Sequence, residues 1–148
     1  MIFQPKYSKM IRTITSLFIL STFAIACSKN SITGRKQFKL LPESDLQTMA
    51  TGEYQQFLRT NNVVTNSTNR DAEMVRRVGT RITKVVTDYY AQKGLSKELE
   101  GYKWEYNLVE SKEVNAWCMP GGKIVVYTGL LSITQNEAAL AAVMGHEV

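Results

Sequence analysis

The sequence predicts an α+β fold, a small and mostly antiparallel sheet flanked by helices. Three observations carry this reading. Residues 71–89 repeat apolar side chains every three or four positions. Residues 103–127 switch to a period of two around a tight turn. Residues 137–148 return to a nearly continuous apolar helix. The 148 residues suit one domain of ordinary size, and 44% hydrophobic with 21% charged residues is a globular mixture. Disorder, collagen and solenoid repeats are excluded by that composition and by the lack of an internal period.

The first segment reads as an address. Lys6, Lys9 and Arg12 precede a mostly apolar run, Ile14 to Ala26. The run is shorter than the roughly 20 residues needed to span a bilayer, and it fits the apolar region of a signal peptide. Its end, Ala24-Ile25-Ala26-Cys27, resembles the lipobox of bacterial lipoproteins. That resemblance implies that residues 1–26 are removed and that Cys27 carries the lipid. It implies a lipid-anchored protein of the bacterial cell envelope, periplasmic and held at the outer membrane. Two acyl groups or more make such anchoring stable. The plainer alternative is an ordinary signal peptide or short anchor with Cys27 incidental.

The net charge of +5 includes those three leader cations. The remainder carries a mild, scattered excess with no basic stripe, so a nucleic-acid partner is not expected.

Residues 28–41 read as a polar tether. Pro42-Glu43-Ser44-Asp45 opens a helix over about 43–59, with proline early and acids in its first turn; Asn61 and Asn62 end it. Asp71 opens a second helix, whose stripe is Met74, Val75, Val78, Ile82, Val85 and Tyr89, and Gly94 stops it. Trp104, Tyr106 and Leu108 alternate with polar residues as a half-buried strand. Residues 114–119 and 123–127 form an antiparallel hairpin about Pro120-Gly121-Gly122, where proline sets φ and glycine supplies φ > 0. Ile124 to Tyr127 is apolar on both faces and therefore interior. After Gly129, Leu130 and Leu131 the chain is expected to turn. Thr134 or Asn136 then caps the last helix, which is apolar enough to be buried on nearly all sides.

That helix ends in Gly145-His146-Glu147-Val148. An adjacent imidazole and carboxylate in an apolar helix call for an explanation, because neither is buried unpaired at low cost. One explanation is the pattern H-E-x-x-H, in which two histidines on one helical face hold Zn²⁺ and the glutamate acts as general base on water. Ala142 and Ala139 lie one and two turns below His146 and leave room there. Gly145 permits close approach of neighbouring backbone. His146 is the sole histidine, and the second imidazole of the pattern would stand two positions after Val148.

Residues 114–148 taken together (Asn115-Ala116, then Pro120-Gly121-Gly122, Gly129-Leu130-Leu131, Asn136-Glu137 and Gly145-His146-Glu147) resemble metallopeptidase family forty-eight, which holds the CAAX prenyl endopeptidases and Oma-type proteases. The tether from Ile32 to Gln37 resembles secreted members. The resemblance implies a zincin-like fold of the gluzincin type, with residues 42–148 as the N-terminal part of a metallopeptidase domain cut within H-E-x-x-H. It implies a zinc endopeptidase acting on proteins or peptides of the envelope, the chain itself being inactive. His146 would be a zinc ligand and Glu147 the catalytic base. Asn115 and Ala116 would align substrate on an edge strand, and Pro120, Gly121 and Gly122 would shape the hairpin beside it. Cys118 reads as a small buried hydrophobe, since a nucleophile needs a base. Trp104 and Trp117 read as core or cleft wall. The competing readings are a non-catalytic, truncated lipoprotein serving as a binding or chaperone-like module, and an ordinary core helix with a satisfied histidine.

Overall fold

The structure is a computed structural model that describes residues 27–29, 31–32, 34–38, 40–65 and 68–148. The expected signal peptide lies outside the described residues. The chain divides into two compact units, residues 1–42 and 43–148. In the first, β1 (Cys27–Lys29) pairs antiparallel with β2 (Lys36–Phe38), Cys27 opposite Phe38. The segment read as a tether thus contains a short hairpin. Among the described residues no helix is long and apolar enough to cross a membrane.

The second unit is α+β. It holds α1 (Glu43–Thr60), α2 (Arg70–Gln92), β3 (Glu105–Val109), β4 (Ala116–Met119), β5 (Lys123–Tyr127), α3 (Thr128–Thr134) and α4 (Glu137–Glu147). Helix α1 ends where Asn61 takes over, its backbone N–H and its side-chain amide both donating to the Phe57 carbonyl. Helix α2 begins one residue before Asp71. Its cap is Asn69, whose Oδ1 accepts from the N–H groups of Asp71 and Ala72 at 3.0 Å. Gly94, at φ 69°, ends it as expected.

The sheet order is β3-β5-β4. Strands β4 and β5 form the expected antiparallel hairpin, but β3 runs parallel to β5. The sheet is therefore mixed rather than mostly antiparallel. The most apolar strand decides this: β5 is buried on both faces along Lys123–Val126, and the centre is the one place where both its faces and both its edges are covered. The chain accordingly inserts β5 between β3 and β4.

Side chains alternate across the sheet into two cores. Leu108, Ala116, Ile124 and Val126 join Ala72, Val75 and Val78 of α2, Leu130 of α3, and Leu140 and Met144 of α4. On the other face Val109 and Val125 meet Tyr54 of α1, with Phe57, Trp117 and Met119 packed around them.

Three expectations are corrected. The turn after Gly129 is the short helix α3, closed by Gln135 at φ 58°. Its Gly129 is held where an added Cβ would lie 2.4 Å from the Glu113 carbonyl oxygen, so backbone packs on backbone there. The apolar stripe of α2 leaves the core after Ile82: Val85 is 67% exposed and Tyr89 43%. Twenty-three residues make a helix of about 35 Å, whereas a five-residue strand spans about 17 Å, so the helix outruns the sheet. Finally, α4 is not buried on nearly all sides. Leu140 and Met144 are fully buried, while Ala138, Ala142, Gly145 and His146 are exposed.

Candidate active site at the end of the last helix

Helix α4 is fixed at its start by polar contacts and along its length by two buried side chains. Asn136 Oδ1 accepts from Ala139 N–H at 2.9 Å, so of the two candidate caps it is Asn136 and not Thr134 that serves. Glu137 receives Arg77 of α2 in a close ion pair, Nε donating at 3.1 Å, with Arg81 at 3.9 Å. The Arg77 guanidinium holds the Glu137 carboxyl below its ordinary value. Leu140 and Met144 then seat the helix in the core.

This seating aims the two terminal side chains differently. Positions 140, 144 and 147 share one helical face, so Glu147 continues the buried face toward the sheet and is half-buried. His146 continues the face of Ala142 and is exposed. Ala142, one turn below it, is exposed as well. Gly145 does not serve close approach, since nothing described lies within 4 Å of a Cβ built there.

Strand β4 lies against α4. Its Cys118 packs into the core on that side, and burial, followed by the field of the Glu147 carboxylate, pushes its thiol up to about 11. The thiol is therefore neutral near pH 7, in line with the reading of Cys118 as a small hydrophobe. Ala116 is buried on the same face, while Asn115 is exposed and its carbonyl accepts from Tyr127 N–H at 3.0 Å. Pro120-Gly121-Gly122 is the hairpin turn, with Gly121 at φ 81° and Gly122 at φ 80°. Both glycine carbonyls are used to hold β3, accepting from Lys103 and Glu105 N–H at 3.0 and 2.9 Å. Gly122 lies under Trp104, and Gly121 faces Gln47 of α1. The fold thus brings Glu147 within electrostatic reach of Cys118, with Ala116 on the same face of β4, while the turn has a structural part in joining β3 to β5.

Sequence reasoning missed a polar network on the α1 face. Lys123 has a side chain only 3% exposed. Its Nζ donates to Lys103 O and Glu105 Oε1, each at 2.7 Å, and lies 6.0 Å from the Tyr54 ring centroid. Asn107 donates to the Tyr54 hydroxyl at 2.6 Å, and burial pushes that phenol up to about 12. A lysine opening an otherwise apolar central strand was the available signal. A groove of about 520 Å³ between α2 and α4, lined by Val78, Ile82, Val85, Val86, Ala138 and Ala141, also went unread.

A zinc ion with a catalytic role takes three protein ligands and keeps one open position. The described residues offer His146, with Glu147 beside it, and among them no group of three or more His, Cys, Asp or Glu side chains could hold a metal. The pair fits the first half of such a site and does not complete it.

The sequence model of peptidase family M48 matches residues 76–148, a span that includes most of α2, the three-stranded sheet and the His–Glu pair. That stretch of the chain resembles peptidase family M48. The chain is similar to the mitochondrial metalloendopeptidase OMA1 of Arabidopsis thaliana, 43% identical over 74 residues, covering 44% of this chain and 15% of that protein. It is 30% identical over 83 residues to the metalloprotease YcaL of Escherichia coli, covering 56% and 30%. Over 136 residues it is 24% identical to OMA1 of Danio rerio, covering 89% and 27%. The chain therefore spans less than a third of the length of these M48 relatives. The α+β architecture, with the His–Glu pair at the end of a helix packed on the sheet, is consistent with the zincin-like fold expected of an M48 chain.

Proposed function

We propose that this chain carries the substrate strand and the first metal ligand of a zinc metalloendopeptidase that hydrolyses proteins of the bacterial cell envelope. The observation that carries the reading is the placement of Glu147 beside an edge strand, on a helix whose next residue back is an exposed imidazole. His146 would hold the zinc ion, which when bound would polarise a peptide carbonyl as a Lewis acid. Glu147, on the sheet-facing side of α4, takes a proton from water and returns it to the leaving amine. Ala116 aligns an extended peptide by main-chain hydrogen bonds and Asn115, whose own main chain bonds to β5, by its side chain, with the turn at Pro120, Gly121 and Gly122 setting the end of that strand. Cys27 carries the lipid anchor and places the protein at the outer membrane, facing the periplasm.

With one imidazole available, the 148 residues alone are expected to bind zinc weakly and to be inactive. The test is to read the coding sequence two codons after Val148 and to express the protein through a completed ligand set. Zinc at one equivalent and proteolysis lost in Glu147→Gln, with zinc retained, support the reading. A reading frame without a histidine at that position sinks it. In that case the reading favoured by the incomplete ligand set, a non-catalytic lipoprotein binding other polypeptides, takes its place.

A further inference from the structure

Among the described residues, strand β4 is paired on one side alone, and hydrogen-bond parity identifies which residues face the other. Tyr127 N–H donates to the Asn115 carbonyl, and the register pairs Trp117 with Val125 and Met119 with Lys123. Alternate residues of an antiparallel ladder direct their main-chain groups to the same neighbour. Asn115, Trp117 and Met119 therefore bond to β5. The N–H and C=O groups of Ala116 and Cys118 point out of the sheet, where no other described strand or bridge lies.

The two faces beside this edge differ in chemistry. Ala116 and Cys118 are small and sit on the face that carries α4. Trp117 and Met119 sit on the opposite face with Phe57. The Trp117 ring meets Phe57 edge-on at 5.0 Å between centroids and Tyr54 at 6.3 Å, and Phe57 stacks on Tyr127 at 6.3 Å. Trp117, Met119 and Phe57 are each only partly buried, so this aromatic and thioether shelf keeps some contact with solvent.

We infer that this shelf is a selecting subsite, and that the polypeptides taken by the β4 edge are extended segments with large apolar side chains two residues apart. A strand added to β4 places the side chain opposite each residue on that residue's own face. The partners of Trp117 and Met119 thus lie on the shelf, and the residue between them lies toward α4 and Glu147. No residue of β4 is charged, so a charged side chain on the shelf would lose water without gaining a partner. Aromatic and thioether groups instead favour Phe, Leu or Met. The inference rests on the peptidase reading only for what happens to the bound strand.

The experiment uses the 148-residue chain and fluorescein-labelled nonapeptides of Ser and Thr. One has no Phe, one has two Phe in adjacent positions, and one has two Phe separated by one residue. Anisotropy titrations are expected to show the separated pair binding about tenfold tighter than the adjacent pair, the gain from seating a second aromatic side chain. Trp117→Leu is expected to reduce that ratio below about threefold. Because Trp117 also packs on Phe57, Met119→Thr serves as a parallel variant nearer the hairpin turn and should reduce it as well. Equal affinity for the two spacings, no binding of any peptide, or an unchanged ratio in both variants overturns the inference. Glu147-dependent hydrolysis by the extended protein is scored separately. Hydrolysis without spacing preference removes the subsite alone, whereas spacing preference without hydrolysis removes the peptidase reading and keeps the subsite.

Discussion

Replacing either partner of the Lys123–Glu105 pair should destabilise the domain, and the two losses should be unequal. The ammonium is almost wholly buried, with the Lys123 side chain 3% exposed, while that of Glu105 is 40% exposed. Glu105→Leu leaves a buried cation with the Lys103 carbonyl as its remaining acceptor. Breaking a buried pair in this way costs about 3–5 kcal/mol, and the partial solvation of Glu105 lowers the expected loss to about 2–3 kcal/mol. Lys123→Met instead removes the buried charge and fills the space. The carboxylate left behind can hydrate, so the loss is about 1 kcal/mol, one charged hydrogen bond net of desolvation. The double variant should cost about as much as Lys123→Met alone, a coupling of about 2 kcal/mol. Urea unfolding reads this directly: with a slope near 2 kcal/mol/M, Glu105→Leu shifts the midpoint by roughly 1–1.5 M and Lys123→Met by roughly 0.5 M. Equal shifts, or a larger loss for Lys123→Met, would refute the argument that the buried cation sets the cost.

Gly129→Ala drives a Cβ to 2.4 Å from the Glu113 carbonyl oxygen and should cost about 2–3 kcal/mol; Gly145→Ala meets nothing within 4 Å and should be neutral or stabilising by up to about 1 kcal/mol, both read by thermal melting. Asn136→Ala removes the cap that positions α4 and should cost about 1 kcal/mol, with Asn136→Asp recovering most of it in the same melts. Tyr54 and Cys118 are acids whose folded values, about 12 and about 11, lie above the ordinary 10.0 and 9.0. Their contribution is complete below the unfolded values and disappears as pH rises through the folded ones, so stability should fall from about pH 9 to pH 12 in an alkaline denaturation series. Iodoacetamide at pH 8 should accordingly modify Cys118 far more slowly in the folded chain than in urea, and equal rates would contradict its burial.

The periodicities of the sequence determined most of the local structure. Apolar spacing at 74–82 and the Pro-Gly-Gly turn specify elements whose hydrogen bonds are short in range, alternation at 104–108 marks a strand through its own side chains, and the structure forms all three within a residue or two. The peptidase resemblance was likewise legible, because the residues from Asn115 to Glu147 keep their order along the chain. Pairing and exposure were not legible. That β3 lies parallel to β5 follows from covering both faces of Ile124-Val125-Val126, a requirement satisfied only by residues distant in sequence. That α3 is a helix depends on Leu130 reaching the core and on Gly129 fitting against the 112–113 backbone. The same holds for the last helix: its composition reads as buried throughout, yet neighbours reach Leu140 and Met144 and leave Ala142 and His146 in solvent. Whether a side chain is buried depends on what packs against it, and that is settled by tertiary contacts and not by the residue's own polarity.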